Sequence, residues 1–133
     1  MALTIEEIGT YNTQGFVLVK DVLNPSDTKP VIDELEAFID GQAQELYDQD
    51  KITDLHKNAP FDMRYGLLLK QCAEIGNGMD IMHMRAPAMF AFLGNAIFLD
   101  AVESLVGPEI TCNPIQHVRA KPPSDYGHSS WSH

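Results

Sequence analysis

The chain is 133 residues long, 44% hydrophobic and 21% charged, which places it among ordinary globular sequences and bounds it at one domain. Nineteen acidic residues against nine basic ones give a formal charge of -10, with no Lys/Arg cluster to displace counterions from a phosphate backbone. The balance therefore excludes nucleic acid as a partner and argues against anchoring on anionic lipid.

The remaining totals narrow the setting. Cys72 and Cys112 lie far apart with no Cys-x-x-Cys spacing, so no disulfide framework is expected and a reducing, cytoplasmic setting is the default. The first fifteen residues carry Glu6 and Glu7 and no basic segment, so no signal peptide is read there. No apolar run approaches the roughly 18 residues of a membrane span.

Thr4-Ile-Glu-Glu7 matches a capping box, with Leu3 and Ile8 placed as a hydrophobic staple, and predicts a short helix over about residues 5–12 ended by Gly15. Phe16-Val-Leu-Val19 is short, aromatic and β-branched, and reads as a strand. Asn24-Pro25-Ser26 opens a long second helix, on which Val31, Ile32, Leu35, Phe38, Ile39 and Leu46 form one apolar stripe. Gly41 interrupts that pattern. Residues 48–60 lose periodicity and read as loop; residues 63–75 read as a helix with Leu67-Leu-Leu69 buried, ended by Gly76-Asn-Gly78.

Residues 79–84 carry no clear pattern. A short helix is expected over 87–93, then Gly94-Asn95, then a helix with Ile97, Phe98, Ala101, Val102, Leu105 and Val106 on one face, stopped by Gly107-Pro108. Residues 110–120 have no helical stripe and read as a strand, with Pro114 suggesting an edge or bulge. The chain stops at Trp131-Ser-His133, which reads as the interruption of a strand–loop–strand passage.

Five histidines invite a metal reading, but His56, His83, His117 and His128 have no ligand spacing among them. There is no His-Glu-x-x-His, phosphate loop, dinucleotide loop or nucleophile elbow. Ser129-Ser130 beside His128 lacks an orienting carboxylate. On a strand, His117, Arg119 and Lys121 share one face while Gln116, Val118 and Ala120 share the other. The cationic face suits either an anion-binding cavity or a solvated sheet edge guarded by its charges.

The order Gly107-Pro108-Glu-Ile110, strand, Lys121-Pro122-Pro123, loop, Trp131-Ser-His133 resembles the phytanoyl-CoA dioxygenase family. The passage Gln14-Gly15-Phe16-Val17 to Lys20-Asp21-Val22-Leu23 is similar to that family's opening. The resemblance implies an α+β fold: helices to about residue 106 packed on an incomplete double-stranded β-helix (jelly-roll), with the first core strands at about 109–133. It covers only the N-terminal portion of such a domain.

The resemblance further implies a non-haem Fe(II)/2-oxoglutarate-dependent dioxygenase hydroxylating a small organic or acyl substrate. His133 matches the first metal ligand, and Gln116, His117 and Lys121 match positions around the cosubstrate. Trp131 stands one residue earlier than usual. The carboxylate and second histidine of a facial triad fall outside the 133 residues, so the lone chain is expected to lack a complete active site. Two alternatives stand beside this reading: a non-catalytic truncated relative acting as an interaction module, and a fragment completed by a partner chain. Unpaired strand edges would favour self-association.

Overall fold

A computed structural model describes residues 2–113 and 117–122, the side chain of Ile81 excepted. Every regular element among these residues is a helix: α1 (Ile5–Gln14), α2 (Pro25–Asp48), α3 (Phe61–Gln71), a 3-10 turn (Ala73–Gly76), α4 (Ile81–Met84), α5 (Pro87–Leu93) and α6 (Ala96–Val106). The expected α+β jelly-roll is overturned. Among the described residues the β pairing consists of one isolated antiparallel bridge between Asp80 and His117.

The reason lies in what a strand requires. Phe16–Val19 has strand-forming residue types, but no segment among the described residues offers it a ladder, and Leu18 stands 82% exposed. The described parts of 110–120 likewise run without a partner, beyond the bridge at His117. β propensity measures fit to a pleated, half-buried surface, and it has no force where that surface is missing.

The helices form where local chemistry directs. At α1 the Thr4 side chain accepts from the Glu7 N–H while Glu7 reaches back to the Thr4 N–H, and Gly15 closes the helix at φ 79°. In α2 the Asn24 N–H donates to Asp27 Oδ2 at 2.8 Å, holding the first turn. Gly41 does not break α2: a side chain there would meet open space, so nothing in the packing asks for a bend. After α2, Asp50 at φ 57° takes the left-handed position, with Lys51 N–H donating to Leu46 O and Asp50 N–H to Tyr47 O. That is the bond pattern of a Schellman ending.

The chain divides into two compact units, Met1–Val31 with Ala86–Pro114, and Ile32–Arg85 with Ile115–His133. The boundary falls inside α2, one residue past Pro30, which has no N–H to offer the Ser26 carbonyl and so leaves the helix one bond short.

The second unit holds the core. Ile39, Ala43 and Leu46 of α2 pack with Ile52, Leu68, Ile75 and Met79. Its loop 49–60 is tied down by Gln71, whose Oε1 accepts from the Thr53 and Asp54 N–H groups at 2.9 and 3.1 Å and whose Nε2 donates to Asp54 O at 2.8 Å. Arg64, 7% exposed, donates from Nε and Nη2 to Leu55 O and from Nη1 to Asp40.

In the first unit α1 packs on α6, Phe92 of α5 stacks on Phe98 of α6 with centroids 5.5 Å apart, and Leu3 N–H donates to Ser104 Oγ. Among the described residues no single helix is long and apolar enough to cross a membrane.

Candidate functional site

Two features of the described residues have functional geometry, one in each unit. In the second unit a cavity of about 230 Å³ lies between α2, α3, Met79 and the 118–122 segment. Leu35 and Ile39 form one wall, Phe61, Tyr65 and Gly66 another, and Arg119, Lys121 and Asp62 supply the charges. Tyr65 lies so close to Gly76 that a β-carbon there would stand 2.6 Å from its hydroxyl oxygen. Burial raises the Tyr65 phenol above its ordinary pKa, since the phenolate loses solvation there.

Of the residues expected to hold cofactor and metal, His117 and Lys121 are among those the structure describes. Lys121 lines the cavity, whereas His117 is exposed and bridges to Asp80 through the backbone. Gln116, Trp131 and His133 lie outside the described residues. His56 faces Asp54, with Nδ1 3.5 Å from Oδ2, and His83 Nδ1 lies 2.6 Å from Asp80 Oδ2. Asp80 also accepts from the His83 N–H at 2.9 Å, so it caps α4, and these bonds hold its carboxyl below the usual range.

Among the described residues no three His, Cys, Asp or Glu side chains come together as a metal site. No buried side-chain nitrogen or oxygen there lacks a hydrogen-bond partner either, so no orphaned polar group marks a place for a missing cofactor. With neither a jelly-roll scaffold nor a ligand cluster among the described residues, the resemblance to the phytanoyl-CoA dioxygenase family fails. The Fe(II)/2-oxoglutarate dioxygenase reading, its iron and oxoacid, and its substrate fall with it. Self-association through strand edges fails too, because the described residues present no strand to pair.

The first unit offers a different feature. Among its described residues Ala86 alone is buried, and neither α5 nor α6 buries any side chain. The large apolar residues of α6, Ile97, Phe98, Leu99 and Leu105, are only half-buried. Ile5 is 91% exposed, Phe90 55% and Val106 59%. Full burial of such a side chain is worth about 1.5–3 kcal/mol, so this unit leaves much of that unrealised. The exposed ridge of α5 runs through Pro87, Phe90 and Ala91; that of α6 runs through Ala96, Asp100, Glu103 and Val106.

Sequence reasoning missed this face, although a signal was present. Pro87-Ala-Met-Phe-Ala-Phe-Leu93 contains no polar residue at all, and a helix apolar all round must be covered on every side. Among the cavity residues, Leu35 belongs to an apolar stripe that reads simply as core, and Phe61 and Tyr65 carry no sequence signal of their own.

No protein-family model, curated protein or solved structure matches the chain.

Proposed function

We propose that the chain is a non-catalytic helical interaction module whose first unit docks a segment of another protein. The observation that supports this is the contrast in burial. The second unit closes a core over seven apolar residues, while the first leaves α5 and α6 without one buried side chain. Exposed apolar surface of this kind marks interaction sites.

The partner's chemistry follows from charge. Residues 1–31 and 86–113 carry seven carboxylates against Lys20 and Lys29. A complementary segment is an amphipathic helix with apolar residues on one side, to cover Phe90 and Val106, and lysines or arginines flanking them to face Asp100 and Glu103.

The test is a titration by fluorescence anisotropy with a labelled leucine–lysine amphipathic peptide, and with the same peptide carrying glutamate for lysine. The lysine peptide binds and the glutamate peptide does not. Phe90→Ser, a change at an exposed position that leaves charge untouched, weakens the lysine peptide roughly tenfold, as loss of an aromatic anchor does. Equal binding by wild type and Phe90→Ser, or equal binding of the two peptides, contradicts the reading.

A further inference from the structure

We infer that residues 16–19 of the first unit accept an extended segment of another protein as an added strand, with an acidic residue of that segment set against Lys20. The inference stands apart from the α5–α6 face and uses none of its residues.

The backbone supplies the first argument. Between Gly15, which closes α1, and the bends at 20–23, the chain runs without a turn or bend. Among the described residues no N–H or carbonyl of Phe16, Val17, Leu18 or Val19 makes a backbone hydrogen bond. A row of unused donors and acceptors of this kind is a template for pairing with another chain. The segment is not a strand by itself; a partner makes it one, and little further ordering is needed for that.

The side chains supply the second. Phe-Val-Leu-Val contains none of the Gly, Pro, Asn, Asp or Ser residues that direct a loop. A run of four apolar residues in an exposed connection has no folding rationale and so points to function. Burial alternates along it: Val17 and Val19 are half-buried, whereas Phe16 is 65% and Leu18 82% exposed. That period of two belongs to a strand, and Lys20, also exposed, follows in the same register.

The outer face therefore reads apolar, apolar, cationic. An antiparallel partner reads acidic–x–apolar–x–apolar from its N-terminal end. Its carboxylate lies across from Lys20, and its apolar residues lie across from Leu18 and Phe16. Backbone bonds supply affinity in this mode, and the alternate side chains supply selectivity.

The probe is acetyl-Glu-Thr-Val-Thr-Val-amide, titrated into the full 15N-labelled chain with amide exchange read residue by residue. At about nine-tenths saturation, one alternate pair, Phe16 with Leu18 or Val17 with Val19, exchanges about tenfold more slowly, because only the free fraction stays open. Residues 87–106 are unchanged. Two further peptides carry N-methyl groups on both valines or on both threonines. One of them keeps its affinity and the other loses binding, since a single edge of the added strand faces the chain. Lysine in place of the peptide's glutamate weakens binding about twofold to fivefold, the scale of an exposed cross-strand charge pair.

No slowing at residues 16–19, equal slowing of all four amides, or a footprint on residues 87–106 overturns the proposal. So do methylated peptides that both bind or both fail, and a lysine peptide that binds as well as the glutamate one. Slowing in the free chain that grows with its own concentration overturns it too, by making a second copy the occupant.

Discussion

Asn95 donates from Nδ2 to Asp27 Oδ1 at 3.1 Å, and its own Oδ1 accepts from the Phe98 N–H at 2.9 Å. One side chain thus caps α6 and ties it to the first turn of α2, where the other oxygen of Asp27 accepts from the Asn24 N–H. The Asp27 carboxylate lies beside two helix N-termini, where the exposed N–H groups favour negative charge.

Asn95→Ala should therefore cost about 1–2 kcal/mol, the cap and the tie together. Asn95→Ser keeps a capping oxygen but cannot reach Asp27, and its cost should fall between wild type and alanine. Urea midpoints of the three proteins check the order. A serine variant as unstable as alanine would mean that the link to Asp27, rather than the cap, carries the effect.

Arg64 makes a comparable tie in the other unit. Its guanidinium is buried, but Asp40 is more than half exposed, so the ion pair is partly screened and the two bonds to the Leu55 carbonyl matter more. Arg64→Met should lose about 2–3 kcal/mol and Arg64→Lys, which keeps charge but not the fork, about 1–2 kcal/mol. Asp40→Asn should lose less than about 1 kcal/mol. Chemical denaturation gives the ranking; an Asp40→Asn cost equal to that of Arg64→Met would place the stabilisation in the ion pair.

Asp50 occupies the left-handed position that ends α2, a conformation glycine adopts without strain. Asp50→Gly should raise stability by about 0.5–1 kcal/mol. A thermal midpoint below wild type would show that the aspartate contributes something the backbone geometry does not require.

The acid limb of stability should include Asp80. Its carboxyl is lowered by the N–H and ring of His83, so its contribution is complete above the ordinary carboxylate range. As pH falls through the depressed folded pKa, that contribution is lost. The difference in melting temperature between wild type and Asp80→Asn should thus be present at pH 6 and shrink steadily below about pH 4. A difference constant across that range would contradict the His83 contacts as its source.

Much of the helical order was legible because its causes are local. Thr4, Glu7 and Gly15 bound α1, Pro25 opens α2, and Gly107-Pro108 stops α6, all through backbone chemistry within a turn or two. Phe16–Val19 forms no strand because pairing is a property of two segments and it contains only one of them, and the second expected strand lies partly outside the described residues. The helix read over 63–75 ends at Gln71 and gives way to the 3-10 turn, and α4, within the unpatterned residues 79–84, has four residues, too few to show a period. The candidate site was least legible of all. Strand alternation and the resemblance both single out Lys121, but what surrounds it, Leu35, Phe61 and Tyr65, is set by tertiary packing.

Amide hydrogen exchange on the whole chain, alone and with the leucine–lysine peptide, tests the docking module most directly. In the free chain, amides of α5 and α6 should exchange well before those of α3, whose Leu68 is fully buried. With the peptide bound, protection should rise across residues 87–106 and leave 61–76 unchanged. Protection of α5 and α6 equal to that of α3 in the free chain, or a peptide footprint confined to 61–76, would contradict the account.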